Sequence, residues 1–253
     1  MTNPKSSSPE AKSLLLTVVL PALCKHAPYV PTEMIRRSLS KAGGKIQAAT
    51  LNRYLHEFVA DELIFDAGRG WYSSLVKVFA MNTTHLKPLI KALGEKFPLL
   101  DYSCWSTAQV GSYGHHLLTK FVTFVHTERD AMESVCDFLR GAGYDTHLNP
   151  LGKLASQFSI RERTVVLRPN VNTRPTDGHY VLVEGLLVDL FVESRNLQLM
   201  DSGEYFQIFR NLTHEARISM ARIVDYARQR KPATNELLKS IKDEFSKNHP
   251  LVD

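Results

Sequence analysis

The chain has 253 residues, of which 43% are hydrophobic and 23% charged, as is ordinary for a globular protein with room for two domains. Its longest apolar stretches, residues 14–23 and 181–192, contain Pro21 and Asp189 and are shorter than the ~20 residues that cross a bilayer, which excludes a membrane-spanning protein. The three cysteines are odd in number and far apart, which favours reduced core residues over disulfides or a zinc site. We therefore expect a cytoplasmic protein with no metal and no cofactor.

Residues 1–10 are polar and lack the arrangement of a signal peptide, so they predict a short disordered lead. A helix is predicted from Pro31, because the fixed φ of proline suits the first helical position. Apolar residues then recur at helical spacing up to Leu39. The glycines of Ala42-Gly43-Gly44 predict a tight turn after this helix.

Residues 45–62 predict a second amphipathic helix. Its apolar stripe consists of Leu51, Leu55, Phe58, Val59 and Leu63. The polar side chains that fall off this stripe are those of Gln47, Thr50, Asn52, Arg53 and His56. Because a helix that packs by an apolar stripe exposes its other side, we expect these five residues to face a groove of DNA.

A small hairpin is predicted directly after this helix. Its apolar arms, residues 63–65 and 71–72, flank the tip Gly68-Arg69-Gly70, which carries one cation. Helix, turn, helix and hairpin in this order are the sequence form of a winged helix-turn-helix. Residues 11–80 therefore predict a domain that binds double-stranded DNA.

Most of the net charge of +5 lies in this part of the chain. Residues 1–80 hold ten basic and six acidic side chains, against 21 and 20 in the remainder. Between residues 31 and 56, only Glu33 opposes a set of five cations, which are Arg36, Arg37, Lys41, Lys45 and Arg53. Such an excess can neutralise DNA phosphates, so we add Arg36, Arg37 and Lys45 to the predicted DNA contacts. Arg69 of the hairpin joins them.

The rest of the chain, residues 81–253, predicts a mixed α/β domain, so the fold class is α+β or α/β with an N-terminal winged helix-turn-helix. The boundary falls at the polar break Met81-Asn82-Thr83-Thr84. The predicted helices are 85–96, 107–119, 127–140, 205–212, 217–230 and 234–245, and the predicted strands are 99–105, 121–126, 144–148 and 164–168. Residues 181–193 fit either a buried helix or a strand.

Two enzyme classes have partial motifs in this second domain. The turn Gly111-Ser112-Tyr113-Gly114 is similar to that of nucleotidyltransferases, but the strand after it, residues 123–126, has no carboxylate pair to hold magnesium. A metal-dependent nuclease would use Asp101, Glu184 or Asp189, yet Glu184 is not followed by the lysine of an acid-x-Lys step. We therefore expect no enzyme and no catalytic residue.

Three titratable residues in this domain are expected to have ordinary, non-catalytic roles. If residues 181–193 form a helix, Asp189 and Glu193 lie one turn apart, and we expect both on a solvated surface. His126 lies near a strand end, where a structural histidine is expected rather than a ligand or a base.

Several short motifs occur in a characteristic order along the chain. They are Thr50-Leu51-Asn52-Arg53-Tyr54-Leu55, Leu63-Ile64, Gly68-Arg69-Gly70-Trp71-Tyr72, Cys104-Trp105-Ser106-Thr107, Leu186-Leu187-Val188-Asp189-Leu190-Phe191 and Asp225-Tyr226-Ala227-Arg228-Gln229-Arg230. With these motifs the chain resembles the AbiEi-type antitoxins of bacterial type IV toxin–antitoxin (abortive infection) systems over most of its length. The resemblance implies an N-terminal domain that represses its own operon. It also implies a C-terminal domain that counteracts a nucleotidyltransferase-like toxin encoded next to it.

The sequence thus predicts a non-enzymatic transcriptional regulator whose partners are its own promoter and a cognate toxin, with no membrane partner. Two alternatives stay open. A nuclease or nucleotidyltransferase targeted by the winged helix domain would be indicated by a divalent metal at Asp101, Glu184 or Asp189. A ligand-responsive transcription factor would be indicated by a buried apolar cavity in the second domain.

Overall fold

The computed structural model describes residues 8–114 and 120–246, which form helices and two β-sheets, the larger of them mixed. No helix within these residues is long and apolar enough to cross a membrane. The described residues divide into two units. The first unit consists of residues 8–79, 213–228 and 235–246, and the second unit consists of residues 80–114, 120–212 and 229–234.

Helices and strands are numbered in chain order. The helices are α1 (Ser8–Leu14), α2 (Leu20–His26), α3 (Thr32–Lys41), α4 (Ala48–Ala60), α5 (Lys87–Lys96), α6 (Met132–Gly141), α7 (Lys153–Ser156), α8 (Val183–Asn196), α9 (Ser202–Glu215), α10 (Met220–Gln229) and α11 (Asn235–Ser246). The strands are β1 (Tyr29–Pro31), β2 (Phe65–Asp66), β3 (Trp71–Ser73), β4 (Tyr102–Ser106), β5 (Val122–Thr127), β6 (Asp145–Leu148), β7 (Thr164–Pro169), β8 (Thr176–Asp177) and β9 (Tyr180–Val181). A π-helical turn, Leu15–Val19, joins α1 to α2, and 3-10 turns lie at Thr84–Leu86, Thr107–Gln109, Gly111–Tyr113 and Arg129–Ala131.

The small sheet of the first unit has β3 between β1 and β2, antiparallel to both. Ser73 of β3 is in register with Tyr29 of β1 and with Phe65 of β2. The β2–β3 hairpin turns at Gly68 and Gly70, whose φ angles of +94° and +78° suit glycine because it has no Cβ. The predicted hairpin with its Gly-Arg-Gly tip is confirmed.

The core of the first unit is formed by the apolar faces of its N-terminal helices. Leu15, Ile35, Leu55 and Phe58 are all 0% exposed and belong to one cluster. Burial of such a side chain stabilises the fold by roughly 1.5–3 kcal/mol. Because the apolar stripe of α4 packs into this cluster, the opposite side of the helix faces outward.

Residues from the C-terminal part of the chain complete the first unit. The Tyr29 hydroxyl donates to the carbonyl oxygen of Ala216 at 2.9 Å and accepts from the backbone N–H of Ile218 at 2.9 Å. The Phe245 ring meets the rings of Tyr29 and Trp71 edge-on, with centroids 5.7 and 6.2 Å apart. The chain thus returns to contact residues that lie far earlier in the sequence, 187 positions earlier for the Tyr29–Ala216 hydrogen bond.

The sheet of the second unit has six strands in the order β6-β7-β5-β4-β9-β8. Strands β6, β7 and β5 run parallel, β4 is antiparallel to β5 and parallel to β9, and β8 is antiparallel to β9. His126 of β5 is in register with Arg168 of β7. Each lies one residue before the carboxyl end of its strand, so the two end side by side.

Helices cover both faces of this sheet. On one face α5 and α6 contribute Leu93 and Leu139 to a cluster with Cys104, Val125 and Leu167. Because side chains alternate along a strand, the neighbouring strand residues lie on the other face. These are Trp105, Phe124, His126, Val166 and Arg168. On this face His126 and Arg168 contact Asp189 and Glu193 of α8, a helix that is buried over most of its length.

Several predicted elements differ from the observed ones. Residues 8–10 belong to α1 rather than to a disordered lead, and residues 1–7 lie outside the described residues. Leu63 is 54% exposed because α4 ends at Ala60, before the stripe reaches it. The predicted helix 107–119 consists of 3-10 turns up to Tyr113, and its residues 115–119 lie outside the described residues.

The packing of the C-terminal helices also differs from the predicted single domain 81–253. Residues 213–228 and 235–246 group with residues 8–79. The physical reason is that Phe245 packs against the rings of Tyr29 and Trp71, while Ala216 accepts a hydrogen bond from the buried Tyr29 hydroxyl.

Candidate functional site

The nine residues that the sequence predicts to contact DNA all belong to the first unit. Eight have exposed side chains, and Thr50 is half-buried. The exposed eight are Arg36, Arg37, Lys45, Gln47, Asn52, Arg53, His56 and Arg69. Solvent therefore reaches all eight exposed side chains, as a surface that contacts DNA requires.

Helix α4 carries the densest group of these residues. Leu51, Leu55 and Phe58 are at most 1% exposed, so this side of the helix faces the core. Asn52, Arg53 and His56 lie at positions i, i+1 and i+4 on the exposed side. An amide, a guanidinium and an imidazole on one exposed helix face are groups that hydrogen-bond to base edges.

Acidic residues partly balance the cations around this helix. Glu33 binds Arg36 at 2.8 Å and Arg37 at 3.2 Å. The Arg53 Nε atom lies 3.9 Å from an oxygen of Glu57. Ion pairs this exposed contribute little to stability, so a phosphate can replace the carboxylate at little cost.

The hairpin tip presents Arg69 from a fixed base. The backbone N–H of Ala221 donates to the carbonyl oxygen of Ala67 at 3.4 Å, and a Cβ on Gly68 would lie 2.6 Å from the Ala221 Cβ. Beyond this contact Arg69 and Gly70 are exposed, and no residue within the described ranges pairs with the Arg69 side chain. The hairpin is thus held at its inner side and offers a cation at its outer side.

The acidic residues considered as metal ligands have other partners. Asp101 accepts a hydrogen bond from Asn170 at 3.1 Å, and Asp189 is bound by arginines. Across residues 8–114 and 120–246, no group of three or more His, Cys, Asp or Glu side chains is placed to hold a metal ion.

A largely buried group of ionisable residues lies in the second unit, and the sequence did not predict it. We call it the arginine–carboxylate cluster, and its members are His126, Arg168, Arg174, Asp189, Glu193 and Arg230. The expectation that Asp189 and Glu193 lie on a solvated surface is wrong, since they are 1% and 3% exposed. Helix α8 faces the sheet with this side, so both carboxylates point at residues of the strands and loops.

Arg168 and Glu193 form one half of the cluster. The guanidinium donates through Nε and Nη2 to the two carboxylate oxygens, at 3.0 and 2.6 Å. Its Nη1 donates to the Asn149 side chain and the Pro150 carbonyl oxygen, both at 3.0 Å. Burial raises the pKa of Glu193, and the bidentate contact with Arg168 opposes that effect.

Asp189 and two further arginines form the other half. Arg174 donates through Nε to Asp189 Oδ2 at 2.7 Å, and Arg230 Nη1 lies 3.1 Å from Asp189 Oδ1. Burial alone would raise the pKa of Asp189, but Arg174 and Arg230 outweigh burial and hold the pKa below its usual value. The carboxylate is therefore charged and occupied on both oxygens.

His126 connects the two halves. Its Nε2 accepts a hydrogen bond from the Trp105 indole at 3.0 Å and lies 3.9 Å from Asp189 Oδ2. Burial, and next to it the charge of Arg174, holds the pKa of His126 well below its ordinary value. We assign the proton of this neutral imidazole to Nδ1, because an indole N–H only donates and Nε2 must accept.

A cavity of about 280 Å³ opens beside the cluster. Its lining includes His126, Arg168, Arg174 and Arg230, together with Arg129 from the 3-10 turn after β5. It lies at the carboxyl ends of β5 and β7, which are parallel neighbours. Open α/β sheets bind ligands at this edge, where loops that leave the strands surround a crevice.

One pattern in the sequence could have indicated the cluster. Helix α8 is almost entirely apolar from Val183 to Val192, yet it contains Glu184 and Asp189, and Glu193 follows. Carboxylates inside a buried apolar run need cationic partners. Those partners come from residues 168, 174 and 230, whose proximity no local pattern reveals.

A family model matches most of the chain. The model of DUF6577, described as a family of unknown function, matches residues 50–247. No curated protein matches the chain. The matched segment includes most of α4, the hairpin and every member of the arginine–carboxylate cluster, whereas Arg36, Arg37, Lys45 and Gln47 precede it.

Proposed function

The chain belongs to DUF6577, a family of unknown function, and we propose that it is a cytoplasmic DNA-binding regulator of transcription. The observation that carries this proposal is the exposed face of α4, on which Asn52, Arg53 and His56 lie together. The opposite face is fixed in the core by Leu55 and Phe58. A rigid helix with such a face fits the major groove of B-DNA.

The order of elements supports a winged helix-turn-helix as the DNA-binding domain. Strand β1 precedes α3 and α4, and the β2–β3 hairpin follows them and pairs with β1. In helix-turn-helix domains the second helix lies in the major groove while neighbouring elements contact the backbone. We assign α4 to the groove and the hairpin to the wing.

The exposed side chains divide into two groups by chemistry. Arg53 is suited to bind guanine through O6 and N7, and Asn52 to bind adenine through N6 and N7. The other cations are suited to bind phosphates, which position the protein without reading sequence. They are Arg36, Arg37, Lys45 and Arg69.

We further propose that this regulator is the antitoxin of a type IV-like toxin–antitoxin system. The resemblance of its motifs to AbiEi-type antitoxins supports this role, with the protein's own promoter as DNA partner and a neighbouring nucleotidyltransferase-like toxin as protein partner. The second unit then counteracts the toxin by binding rather than by catalysis. Arg174 and Arg230 occupy both oxygens of Asp189, which supports a non-enzymatic role.

Fluorescence anisotropy with promoter DNA and with unrelated DNA of the same length tests the DNA-binding proposal. We expect tighter binding to the promoter, and we expect Arg53→Ala to weaken it by roughly 1–3 kcal/mol if Arg53 reads a base. Arg228→Ala is the matched control, because Arg228 is also exposed and paired to a nearby acid, Asp225. Equal affinity for both DNAs would refute a specific regulator, and an unchanged Arg53→Ala would remove Arg53 from the interface.

Co-expression tests the antitoxin proposal separately. The full chain is expressed with the product of the adjacent gene, and colony survival is scored. We expect the product of the adjacent gene to be toxic when it is expressed alone. We expect the full chain to restore growth, both with its own sequence and with the Arg53→Ala substitution. A harmless neighbour, or one that the full chain does not counteract, would refute the antitoxin role and leave DNA binding intact.

The absence of catalysis is tested with the purified protein, magnesium or manganese, nucleotides, tRNA and plasmid DNA. We expect every substrate to remain unaltered. Nicking or nucleotide incorporation that is lost in Asp189→Ala would favour the nuclease or nucleotidyltransferase alternative.

A further inference from the structure

We propose that the cavity beside the arginine–carboxylate cluster is a binding site for a small phosphoryl anion. The site lies entirely in the second unit and does not depend on the DNA-binding proposal. Three independent properties of the cavity support it: unmet hydrogen-bond donors, an excess of positive charge, and its position at the edge of the sheet.

The unmet donors are the first property. Arg174 Nη2 and His126 Nδ1 are buried and have no hydrogen-bond partner among the residues that the structure describes. Nδ1 carries the proton, because Nε2 accepts from Trp105, so both unmet groups are N–H donors. A buried donor without an acceptor destabilises the fold, so a ligand that supplies an acceptor is favoured. An oxyanion supplies several acceptors, whereas a cation supplies none.

The charge balance is the second property. The cavity is lined by four arginines, at positions 129, 168, 174 and 230. The carboxylates that form ion pairs with these arginines within the described residues are Asp189 and Glu193, so the four guanidinium groups outnumber the two carboxylates beside the cavity. A phosphate monoester carries ≈ −1.5 to −2 at neutral pH, which matches this excess. A guanidinium also binds phosphate oxygens with favourable geometry.

Position and size are the third property. Strands β5 and β7 end side by side at His126–Thr127 and Arg168–Pro169, so the loops that follow them enclose the cavity. Its volume of about 280 Å³ is at the lower limit for small-molecule sites, so it fits a small anion or the phosphoryl end of a nucleotide. Arg129 is exposed and has no pairing residue in the described part of the chain, so it is available to a ligand that enters.

Intrinsic fluorescence of the full chain tests the proposal. Trp71→Phe leaves Trp105 as the only tryptophan, and Trp105 is hydrogen-bonded to His126. We expect saturable changes on titration with inorganic phosphate at constant ionic strength, and no change with sodium chloride. Adenosine monophosphate is the second titrant. Binding of both ligands assigns the site to the phosphoryl group itself, and binding of the nucleotide alone assigns it to a phosphoryl group carried by a nucleoside.

Three arginine variants locate the site. Arg129→Ala removes an exposed cation of the cavity, and we expect affinity about tenfold weaker. Arg161→Ala removes an exposed arginine that lines a different cavity of the same unit, and we expect unchanged affinity. Arg174→Lys keeps a positive charge near Asp189 but lacks Nη2, so it too should bind more weakly, with circular dichroism to verify folding.

Three results would overturn the proposal. The first is that neither phosphate nor the nucleotide gives a saturable change. The second is that Arg129→Ala binds as tightly as the parent protein. The third is that Arg161→Ala loses binding, which would place the anion in the other cavity.

Discussion

Trp105 donates its indole N–H to Nε2 of His126 at 3.0 Å, and both side chains are at most 2% exposed. Because the indole cannot accept, this contact requires a neutral imidazole. Protonation of Nε2 would break the hydrogen bond and add a positive charge beside Arg174 and Arg230. The pair therefore links the protonation state of one histidine to the stability of the second unit.

We expect this link to appear as a pH dependence of stability. Below ~pH 6.5, the ordinary pKa of histidine, His126 takes up a proton in the unfolded chain but not in the folded chain, where its pKa is lower. The unfolded state then binds more protons than the folded state. The contribution of His126 to the free energy of unfolding is therefore complete above this pH, and it is lost as the pH falls towards the pKa of His126 in the folded chain. Urea titrations at about pH 7.5 and about pH 5.5 measure the difference in the free energy of unfolding.

His126→Gln separates this effect from the other titrating groups. The glutamine side chain keeps an acceptor for Trp105 but cannot take up a proton, so its free energy of unfolding should change less between the two pH values. If the wild type and the variant lose the same free energy, the neutral state of His126 does not govern the acid sensitivity.

The ion pair of Arg168 and Glu193 leads to a second prediction. Glu193→Gln leaves the buried Arg168 guanidinium without a counter-charge, and we expect the free energy of unfolding to fall by about 3–5 kcal/mol. The matched control is Asp137→Asn, which removes the acid from an exposed pair with Arg140 and should cost at most ~1 kcal/mol. A cost for Glu193→Gln as small as that of the control would contradict the role of the buried pair.

Arg69 at the hairpin tip leads to a third prediction. If it contacts a phosphate, Arg69→Ala should weaken binding to promoter and unrelated DNA alike and lower the slope of log affinity against log salt by about one. Anisotropy titrations over a series of salt concentrations give this slope. The tip is fixed by the contact of Ala67 with Ala221, so the substitution should not disturb the fold. An unchanged slope would exclude the phosphate contact.

Phe245, in the last helix of the described chain, leads to a fourth prediction. Its ring packs edge-on against Tyr29 and Trp71, so Phe245→Ala should destabilise the first unit by about 3–5 kcal/mol. Thermal unfolding followed by tryptophan fluorescence measures the loss. Leu99→Ala is the control, because Leu99 is 99% exposed and should change stability by at most ~0.5 kcal/mol. Equal melting curves for the two variants would show that α11 does not support the unit.

The sequence predicts the parts of the fold that local pattern controls. The stripe of Leu51, Leu55 and Phe58 places one side of α4 in the core, and the turn at Gly68 and Gly70 is a direct consequence of glycine's freedom at positive φ. The exposed side chains of Asn52 and Arg53 follow from the same periodicity. For this reason the candidate DNA-binding face is predictable from a short window of residues.

Features that depend on distant residues are not predictable in this way. The charge state and burial of Asp189 depend on Arg174 and Arg230, the second of which lies 41 positions later. The cover of Tyr29 likewise depends on Ala216 and Phe245. Neither contact can be predicted from a local pattern of residues. The sequence therefore favoured solvated carboxylates at Asp189 and Glu193, and it also favoured one continuous C-terminal domain.

The return of α11 to Tyr29 and Trp71 has a consequence for synthesis. As the chain leaves the ribosome, the N-terminal helices emerge first, but the aromatic residues they precede stay uncovered until α11 has been translated. Asp189 similarly lacks its ion pair with Arg230 until residue 230 has been translated. A nascent chain that stalls before residue 230 thus has neither unit complete, and only chains whose synthesis has passed α11 gain a finished first unit.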